Sequence, residues 1–586
     1  MKLSDFVIEY LHSKGSRQVF GMSGGAAVHL FDSASKHADV NTIFVTHEQS
    51  AVMAADGYYR VSGRLGVCVV TSGPGATNLL TGVCCSFYDS VPALMLTGQV
   101  ATHRLKGERK VRQIGFQETD VLSIYASVTK RAEQLRDPTR IAYLLDRAFS
   151  EAENGRPGPV LIDIPDDLQR AQVEPAALPR YMPAPQPPSS DLLPRVEALL
   201  QRISAAKRPV MVIGGGLSTP RKALELREFL RQVEIPLVQT WAGLDLVPHD
   251  WKYRVGTFGV YGSRLGNFVV QNADLLVCLG TRLSQNLTGG SLNTFSPNAH
   301  IVMVDADQGE MDKFDGGGIR VAERIQCRME DFLGAANSAA AQFSAPEISH
   351  WLATIEHWRA ALPNDIPQPP TDDRGFVDAH HFVRELSAVL ADNEIVFVDT
   401  GGNLTWTCNN LRVKRDQRVL SAWNFTPMGY AVPAGIGGAA AAPDRPITCI
   451  TGDGGMQLCL GELATIVRYN LPLKIILFNN HAHGIQKQTL ETWLDANYVG
   501  VDPGSGLGLT NFPQVAQAMG LPVVTISKTS EIAGRLKEVY AMSGPVFCNV
   551  EINPDQKLYP VLKYGAPLDN QIPLMSEEQL NALRTL

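Results

Sequence analysis

Nothing in these 586 residues is long and apolar enough to cross a membrane, which takes about 20 consecutive apolar residues. The nearest candidate, the Ala-Gly run from Ala431 to Ala442, is too short and too rich in small residues, and it reads instead as a close-packed helix. A strong excess of one charge is also missing. The net charge is −7, which gives neither nucleic acid nor an anionic lipid surface an electrostatic reason to bind. Cysteine pairs are lacking too: the nine cysteines are odd in number and none sits in Cys-x-x-Cys spacing. That argues against a disulfide framework or zinc site and for reduced thiols in a cytoplasmic protein, with Cys84-Cys85 as packing residues. The strict Gly-x-Gly-x-x-Gly fingerprint is absent, so a nicotinamide-dependent dehydrogenase loses its usual signature. Met1 to Gly15 has neither the basic start nor the unbroken apolar core of a signal peptide. Leu3, Phe6, Val7, Tyr10 and Leu11 fall at helical spacing there, which predicts an amphipathic first helix.

What is present is ordinary for large globular cores: 45% hydrophobic and 19% charged residues. Length alone suggests about three or four domains. From residue 1 to 175, short apolar runs at Gln18–Phe20, Thr42–Val45, Gly66–Thr71, Ala93–Thr97 and Val160–Ile164 alternate with helical segments, predicting an α/β domain with a parallel sheet. Prolines then crowd Gln172 to Asp191 as an extended linker. A second α/β region, 192–345, has strands at Pro209–Ile213, Asp274–Leu279 and His300–Val304, each running into a turn. These turns are Gly214-Gly215-Gly216, Gly280-Thr281-Arg282 and Asp305-Ala306-Asp307. Another proline-rich connector, near Leu362 to Pro370, leads to a third α/β region at 375–550. The tail, 551–586, shows little pattern before Ser576 and is open to two readings, a lid over the active site or a plain surface arm.

The third region holds the most informative stretch. Ile447–Ile450 ends in Gly452-Asp453-Gly454-Gly455; Met456 to Tyr469 has helical spacing; Leu473–Phe478 ends in Asn479-Asn480. Strand, glycine turn, helix and strand in that order expose backbone N–H groups to an anion at the helix N-terminus. They also bring Asp453 and Asn480 to adjacent carboxyl ends of parallel strands. Two hard oxygen ligands beside a diphosphate suit Mg²⁺ better than zinc.

Gly-Asp-Gly, 27 positions from Asp453 to Asn480 and an apolar strand before Asn-Asn resemble the signature of thiamine diphosphate enzymes. Further matches narrow the resemblance to the acetolactate synthase group. They are His47-Glu48 after the second strand, Thr71-Ser72-Gly73-Pro74-Gly75-Ala76-Thr77-Asn78 after the third, and Gly115-Phe116-Gln117-Glu118. Gly21-Met22-Ser23-Gly24-Gly25 stands where that group usually has Gly-x-Pro-Gly-Gly. The resemblance implies a fold class of three doubly wound parallel-sheet domains: pyrimidine-binding, central FAD-type and diphosphate-binding. It also implies thiamine diphosphate, Mg²⁺ and FAD as cofactors. Asp453, Asn480 and the carbonyl of Ala482 would hold the metal. Glu48 would hydrogen-bond N1′ of the aminopyrimidine, with Gln117 and the Gly24-Gly25 backbone near the reacting oxygens. Met428 would wedge the cofactor into its bent shape, and the Thr426 carbonyl would accept from its amino group. Thr71, Gly73, Asn78, Gly402, Asn403, Gly452, Gly454, Gly455, His483 and Gly484 would complete the cofactor site. Gly214, Gly215, Gly280, Arg282 and Asp305 would face FAD.

In this family Glu48 and the Asp453 clamp come from different subunits, so the resemblance implies a homodimer or homotetramer. The implied activity is decarboxylation of a 2-keto acid, pyruvate, with transfer of the acetyl unit to a ketone or 2-keto acid. Two departures fall at the substrate end: Ser284-Gln285-Asn286 replaces Asp-Asp-Arg, and Thr489 stands at a tryptophan's position. Tyr498–Gly506 and Pro567–Gln571 are similar to synthase-like carboligases of branched-sugar and secondary metabolism. The expectation is therefore a carboligase with a non-standard acceptor; the alternatives are a standard acetolactate synthase, a flavin-linked pyruvate oxidase and a 2-keto acid decarboxylase. His481, His483 and Lys487 are further candidates for proton relay.

Overall fold

The computed structural model describes residues 1–183, 191–362, 376–563 and 565–584. Pro185, Pro187 and Pro188 of the first connector, and Pro363 to Pro370 of the second, lie outside them. Eighteen strands form three parallel six-stranded sheets. The first comprises β1 (Gln18–Met22), β2 (Asn41–Phe44), β3 (Gly66–Val70), β4 (Ala93–Gln99), β5 (Arg131–Gln134) and β6 (Val160–Pro165), in the order β2-β1-β3-β4-β6-β5. The central sheet comprises β7 (Pro209–Ile213), β8 (Leu237–Gln239), β9 (Arg254–Thr257), β10 (Leu275–Leu279), β11 (His300–Asp305) and β12 (Val321–Gln326), in the order β12-β11-β10-β7-β8-β9. The third comprises β13 (Ile395–Val398), β14 (Arg418–Leu420), β15 (Ile447–Gly452), β16 (Leu473–Asn479), β17 (Val523–Ile526) and β18 (Val546–Glu551), in the order β14-β13-β15-β16-β18-β17.

The apolar runs became strands because buried parallel sheets need side chains that are apolar on both faces. β3, β4, β10 and β16 are buried along their whole length. Strands with mixed composition were not legible: β5, Arg-Ala-Glu-Gln, is half-buried at a sheet edge. The expected single helix over Met456–Tyr469 is divided into Asp453–Cys459 and Glu462–Tyr469, separated at Leu460-Gly461. A Cβ at Gly461 would lie 2.7 Å from Thr46 Oγ1, so the first domain presses on the chain there.

The first and third sheets share one topology, and in both the strand order reverses between the first and third strands of the sheet. The central sheet has the order of a doubly wound dinucleotide-binding domain, reversing between β7 and β10. Ligands in open α/β sheets sit outside the carboxyl ends of the strands at such reversals. Gly24, Gly25, Thr71 and Gly73, then Gly214, Gly215 and Gly280, then Gly402, Asn403 and Asp453 follow the strands that flank these three reversals.

One hydrophobic core joins the first and third domains, around helix α1 (Glu48–Ser62) and helix α2 (Ala431–Ala441). Their crossing depends on glycine. A Cβ at Gly57 would lie 2.2 Å from the Ala434 carbonyl oxygen, and one at Gly437 only 1.8 Å from that of Ala54. These pairings run in opposite senses along the two helices, so α1 and α2 are antiparallel. The tail is neither featureless nor separate. Its strands Val561–Leu562 and Gln571–Ile572 pair, and Leu562, Leu568, Leu580 and Leu583 enter the core of the central domain. No described helix is long and apolar enough to cross a membrane.

Gly437→Ala is expected to cost about 1–3 kcal/mol through overpacking against backbone, seen as a lower midpoint of thermal unfolding. Gly534→Ala, where nothing lies within 4 Å of the added Cβ, should hold or raise the midpoint, because glycine is the weaker helix former.

Candidate active site

The sequence candidates of the first domain gather at the ends of β1 and β3. Glu48, at the first position of α1 and 8% exposed, accepts a hydrogen bond from Asn78 Nδ2 at 2.9 Å. Thr71 Oγ1 accepts from the Ala26 amide at 3.1 Å, and a Cβ at Gly24 would strike the Thr71 side chain at 2.5 Å. Gly73 has φ +62 and lies under Gln117, itself at φ +64. Glu118 holds that loop by accepting from the amides of Lys106, Ile114 and Gly115. The result is a carboxylate recessed among small residues, with Gly75 Cβ space 3.6 Å from Glu48 Oε1.

The third-domain candidates gather at β13, β15 and β16. Helix α3 (Asp453–Cys459) begins directly from β15, with Gly452 as its N-cap. Asp453 accepts from the Gly454 amide at 2.7 Å and the Ala482 amide at 3.2 Å. Asn480 Oδ1 lies 3.3 Å from Asp453 Oδ2 and 2.9 Å from the Ala482 carbonyl oxygen, three acceptors facing one another with no proton between them. Turning the amide would supply a donor; a cation among the three oxygens would equally balance them. Ligands in an octahedral shell of about 2.1 Å radius stand about 3 Å apart, so the spacing fits Mg²⁺. Burial pushes the Asp453 carboxyl up to about 6, against the hydrogen bonds it accepts and the nearby His481 imidazole.

Around this clamp, a Cβ at Gly454 would meet His483 at 2.8 Å and Met428 Sδ at 3.3 Å, so both side chains stand over the turn. Asn403 donates to the Asp399 carbonyl oxygen at 2.7 Å, and its Oδ1 lies 3.1–3.2 Å from the Cβ positions of Gly401 and Gly452. Gly402 packs on Trp406, and Gly484 on Asn480 Nδ2. Met428 is reached through Thr426 at φ +51 and followed by Gly429 at φ +85. A left-handed β-branched residue costs about 1–3 kcal/mol. Asp399, invisible in the sequence as a site residue, secures the far side of this turn: it accepts from Gly429 and Tyr430 amides and from Thr451 Oγ1. His481 pairs with Glu551 at 2.7 Å, and Lys487 pairs with Asp555.

The two clusters do not meet within one chain. Antiparallel packing puts the C-terminal end of α1 beside Tyr430, whose hydroxyl bonds Asp56, and leaves Glu48 at the opposite end. Twelve residues at 1.5 Å each place Glu48 about 18 Å along the axis from Arg60. Beside it, Thr46 bonds Glu462, beyond the far end of α3.

A cavity of about 530 Å³ lies where the three domains meet. Gly215, Gly280, Arg282 and Asp305 line it, with Trp241 and Thr426 on other walls; Gly214 stands behind, its Cβ position 2.5 Å from the Gly280 carbonyl oxygen. Thr240 Oγ1 and Trp241 Nε1 are buried at its wall without hydrogen-bond partners. A smaller cavity, about 220 Å³, shares Tyr261, Asn286 and Ile485 with it and is bordered by Thr489, Gln488 and the tail residue Leu562. Thr489 lies on helix α4 (Gly484–Trp493), which starts at the clamp.

Two sheets of like topology carrying a buried carboxylate and an oxygen clamp, with a dinucleotide-type sheet between them, define an α/β cofactor enzyme. The comparisons identify the family. The thiamine pyrophosphate enzyme N-terminal binding domain matches residues 1–124, the central domain 196–335 and the C-terminal binding domain 399–550. The chain is 32% identical over 567 residues to acetolactate synthase isozyme 1 large subunit of Escherichia coli (strain K12), covering 96% of each chain. It is 32% identical over 585 residues to the acetolactate synthase large subunit of Parasynechococcus marenigrum (strain WH8102), 98% of this chain and 91% of that one. With acetolactate synthase 1, chloroplastic, of Nicotiana tabacum it shares 30% over 584 residues, 97% of this chain and 85% of the relative. The chain belongs to the thiamine pyrophosphate enzymes and is an enzyme of the acetolactate synthase type.

Asp453→Ala should abolish Mg²⁺-dependent retention of thiamine diphosphate in calorimetric titration while leaving the far-ultraviolet circular dichroism unchanged; undiminished retention would remove the clamp assignment.

Proposed function

We propose that this protein is a thiamine diphosphate-dependent carboligase that decarboxylates pyruvate and transfers the acetyl unit to a ketone or a second 2-keto acid, as a homodimer or homotetramer. The observation that carries the reading is the convergence of Asp453, Asn480 and the Ala482 carbonyl at the N-terminus of α3 beneath Met428. Three oxygens and a helix N-terminus would suit a Mg²⁺ ion and a diphosphate. The cofactor, when bound, supplies the electron sink that lets the C1–C2 bond of pyruvate break with loss of CO₂.

The chain's own residues bind, orient and move protons. Asp453, Asn480 and the Ala482 carbonyl would hold the metal, and the backbone N–H groups at the start of α3 would face the diphosphate. Met428 and the Thr426 carbonyl would support and orient the ring system. Glu48 of a second copy would hold a proton at N1′ of the aminopyrimidine, because the antiparallel crossing leaves the Glu48 of the same chain at the far end of α1, about 18 Å along the helix axis from Arg60. Gln117 and the Gly24-Gly25 backbone stand beside that carboxylate's pocket, where donors steady the developing oxygen charge. In the net reaction pyruvate would lose CO₂, its C2 would become bonded to the acceptor's carbonyl carbon, and the acceptor oxygen would take up one proton.

The large cavity fits FAD. Its glycines allow close backbone approach at the strand-order reversal of the central sheet, and its two unpartnered polar atoms ask for a polar ligand. Mg²⁺ and FAD therefore complete the proposed cofactor set. The smaller cavity, with Thr489 and Gln285-Asn286 on its walls, supports an acceptor other than pyruvate, as in the carboligases of branched-sugar and secondary metabolism that Tyr498–Gly506 resembles. The similarity to acetolactate synthases supports the second reading, ordinary acetolactate formation from two pyruvates.

Product analysis with pyruvate, thiamine diphosphate and Mg²⁺, with and without an added ketone, separates the two. A branched tertiary alcohol formed chiefly with the ketone supports the altered acceptor, and acetolactate from pyruvate alone supports the ordinary synthase. Glu48→Gln is expected to keep cofactor binding and lower turnover ~100-fold or more; near-normal rates would sink its role.

A further inference from the structure

The turn that carries Thr426 and Met428 joins β14 to α2 and is gripped at both ends. At its far end lies Asp399 of the same domain. At its near end the grip comes from the first domain: Asp89, whose side chain is 2% exposed, accepts from the Trp423 amide at 2.8 Å, the Asn424 amide at 3.0 Å and Asn424 Nδ2 at 2.7 Å. Tyr88 adds a ring stacked on Phe425, centroids 5.5 Å apart at 11°. Asp89 is in turn fixed by Arg60 at 2.7 Å, and Arg60 by Asp56, which also accepts from Ser86 and Tyr430. Between the two grips Thr426 is held at φ +51, a conformation that a β-branched residue leaves when nothing enforces it.

We propose that Asp89 is a positioning residue: by anchoring the Trp423 and Asn424 amides it keeps Thr426 left-handed, and so aims the Thr426 carbonyl and Met428 at a bound thiamine diphosphate. This rests on the cofactor reading given above. The first domain thus serves two sites in an assembly. Glu48 reaches the partner's site, and Asp89 shapes the site of its own chain from the other end of α1.

The test uses the full-length protein with Mg²⁺ and thiamine diphosphate. Asp89→Asn keeps the side-chain size and leaves Arg60 paired with Asp56, but replaces one acceptor oxygen by a donor facing amide N–H groups. The expected result is an apparent thiamine diphosphate dissociation constant raised about tenfold, with faster hydrogen exchange at the amides of 423–430. The decisive variant is Asp89→Asn with Thr426→Gly. Glycine keeps the main-chain carbonyl and takes positive φ without strain, so most of the lost affinity should return and exchange should slow. Unchanged affinity and exchange in Asp89→Asn would overturn the proposal. So would a loss that Thr426→Gly fails to restore, because a purely structural Asp89 gains nothing from relief at residue 426. Should Asp89→Asn fail to fold, Asn424→Ala removes one of the same bonds at an exposed position. It should raise the dissociation constant about threefold, and no rise would count against the proposal. Wild-type protein that binds no thiamine diphosphate would refute the cofactor reading, while the exchange measurements would still decide whether Asp89 holds Thr426.

Discussion

Two glycines let helices α1 and α2 lie backbone against backbone, and the position of each group in the candidate site follows from that crossing. Gly57 and Gly437 leave no room for a Cβ against the facing carbonyls. The distance so gained sets the first and third sheets in a shared core and aligns the carboxyl end of α1 with the turn that carries Met428. The same antiparallel arrangement separates Glu48 from the clamp in its own chain. A helix is rigid over such a length, so Glu48 cannot fold back toward the turn that carries Met428, and the proposed role of a second copy rests on that separation.

Buried carboxylates do the remaining positioning. Asp399 has no cation beside it among the described residues, and burial pushes its carboxyl up to about 6 against the bonds from Thr451, Gly429, Tyr430 and Thr400. A charge-assisted bond to backbone N–H is stronger than a neutral one, which suits a group that must hold a turn containing a left-handed threonine. Asp56, Arg60 and Asp89 form a second such group within the first domain, and its carboxylates reach across the domain boundary to Tyr430, Trp423 and Asn424. The residues closest to the implied chemistry are therefore small or strained, and the residues that set their geometry lie one layer behind.

The central domain and the tail shape access to this centre. The large cavity lies at the meeting of three domains, and the smaller one shares Tyr261, Asn286 and Ile485 with it beside α4 and the tail strands. Leu568, Leu580 and Leu583 bury the tail in the core of the central domain, so the wall it provides for the smaller cavity is set by hydrophobic packing.

The sequence by itself determined the class of fold and the proximity of Asp453 to Asn480. Apolar runs such as Pro209–Ile213 and Leu473–Phe478 could only be buried strands, and Asp453 and Asn480 follow strands that pair directly, so local pattern was enough to bring them together. It was silent where side chains are polar or neighbours distant. The edge strand Arg131–Gln134 has no apolar signature, and nothing near Asp89 or Asp399 in the chain announces that they anchor a turn hundreds of residues away or in another strand's loop. Tertiary structure alone decided those contacts, the helix crossing at Gly57 and Gly437, and the separation of Glu48 from Asp453. Each depends on how sheets stack and helices cross, and that geometry is fixed by packing between segments that no spacing along the chain relates.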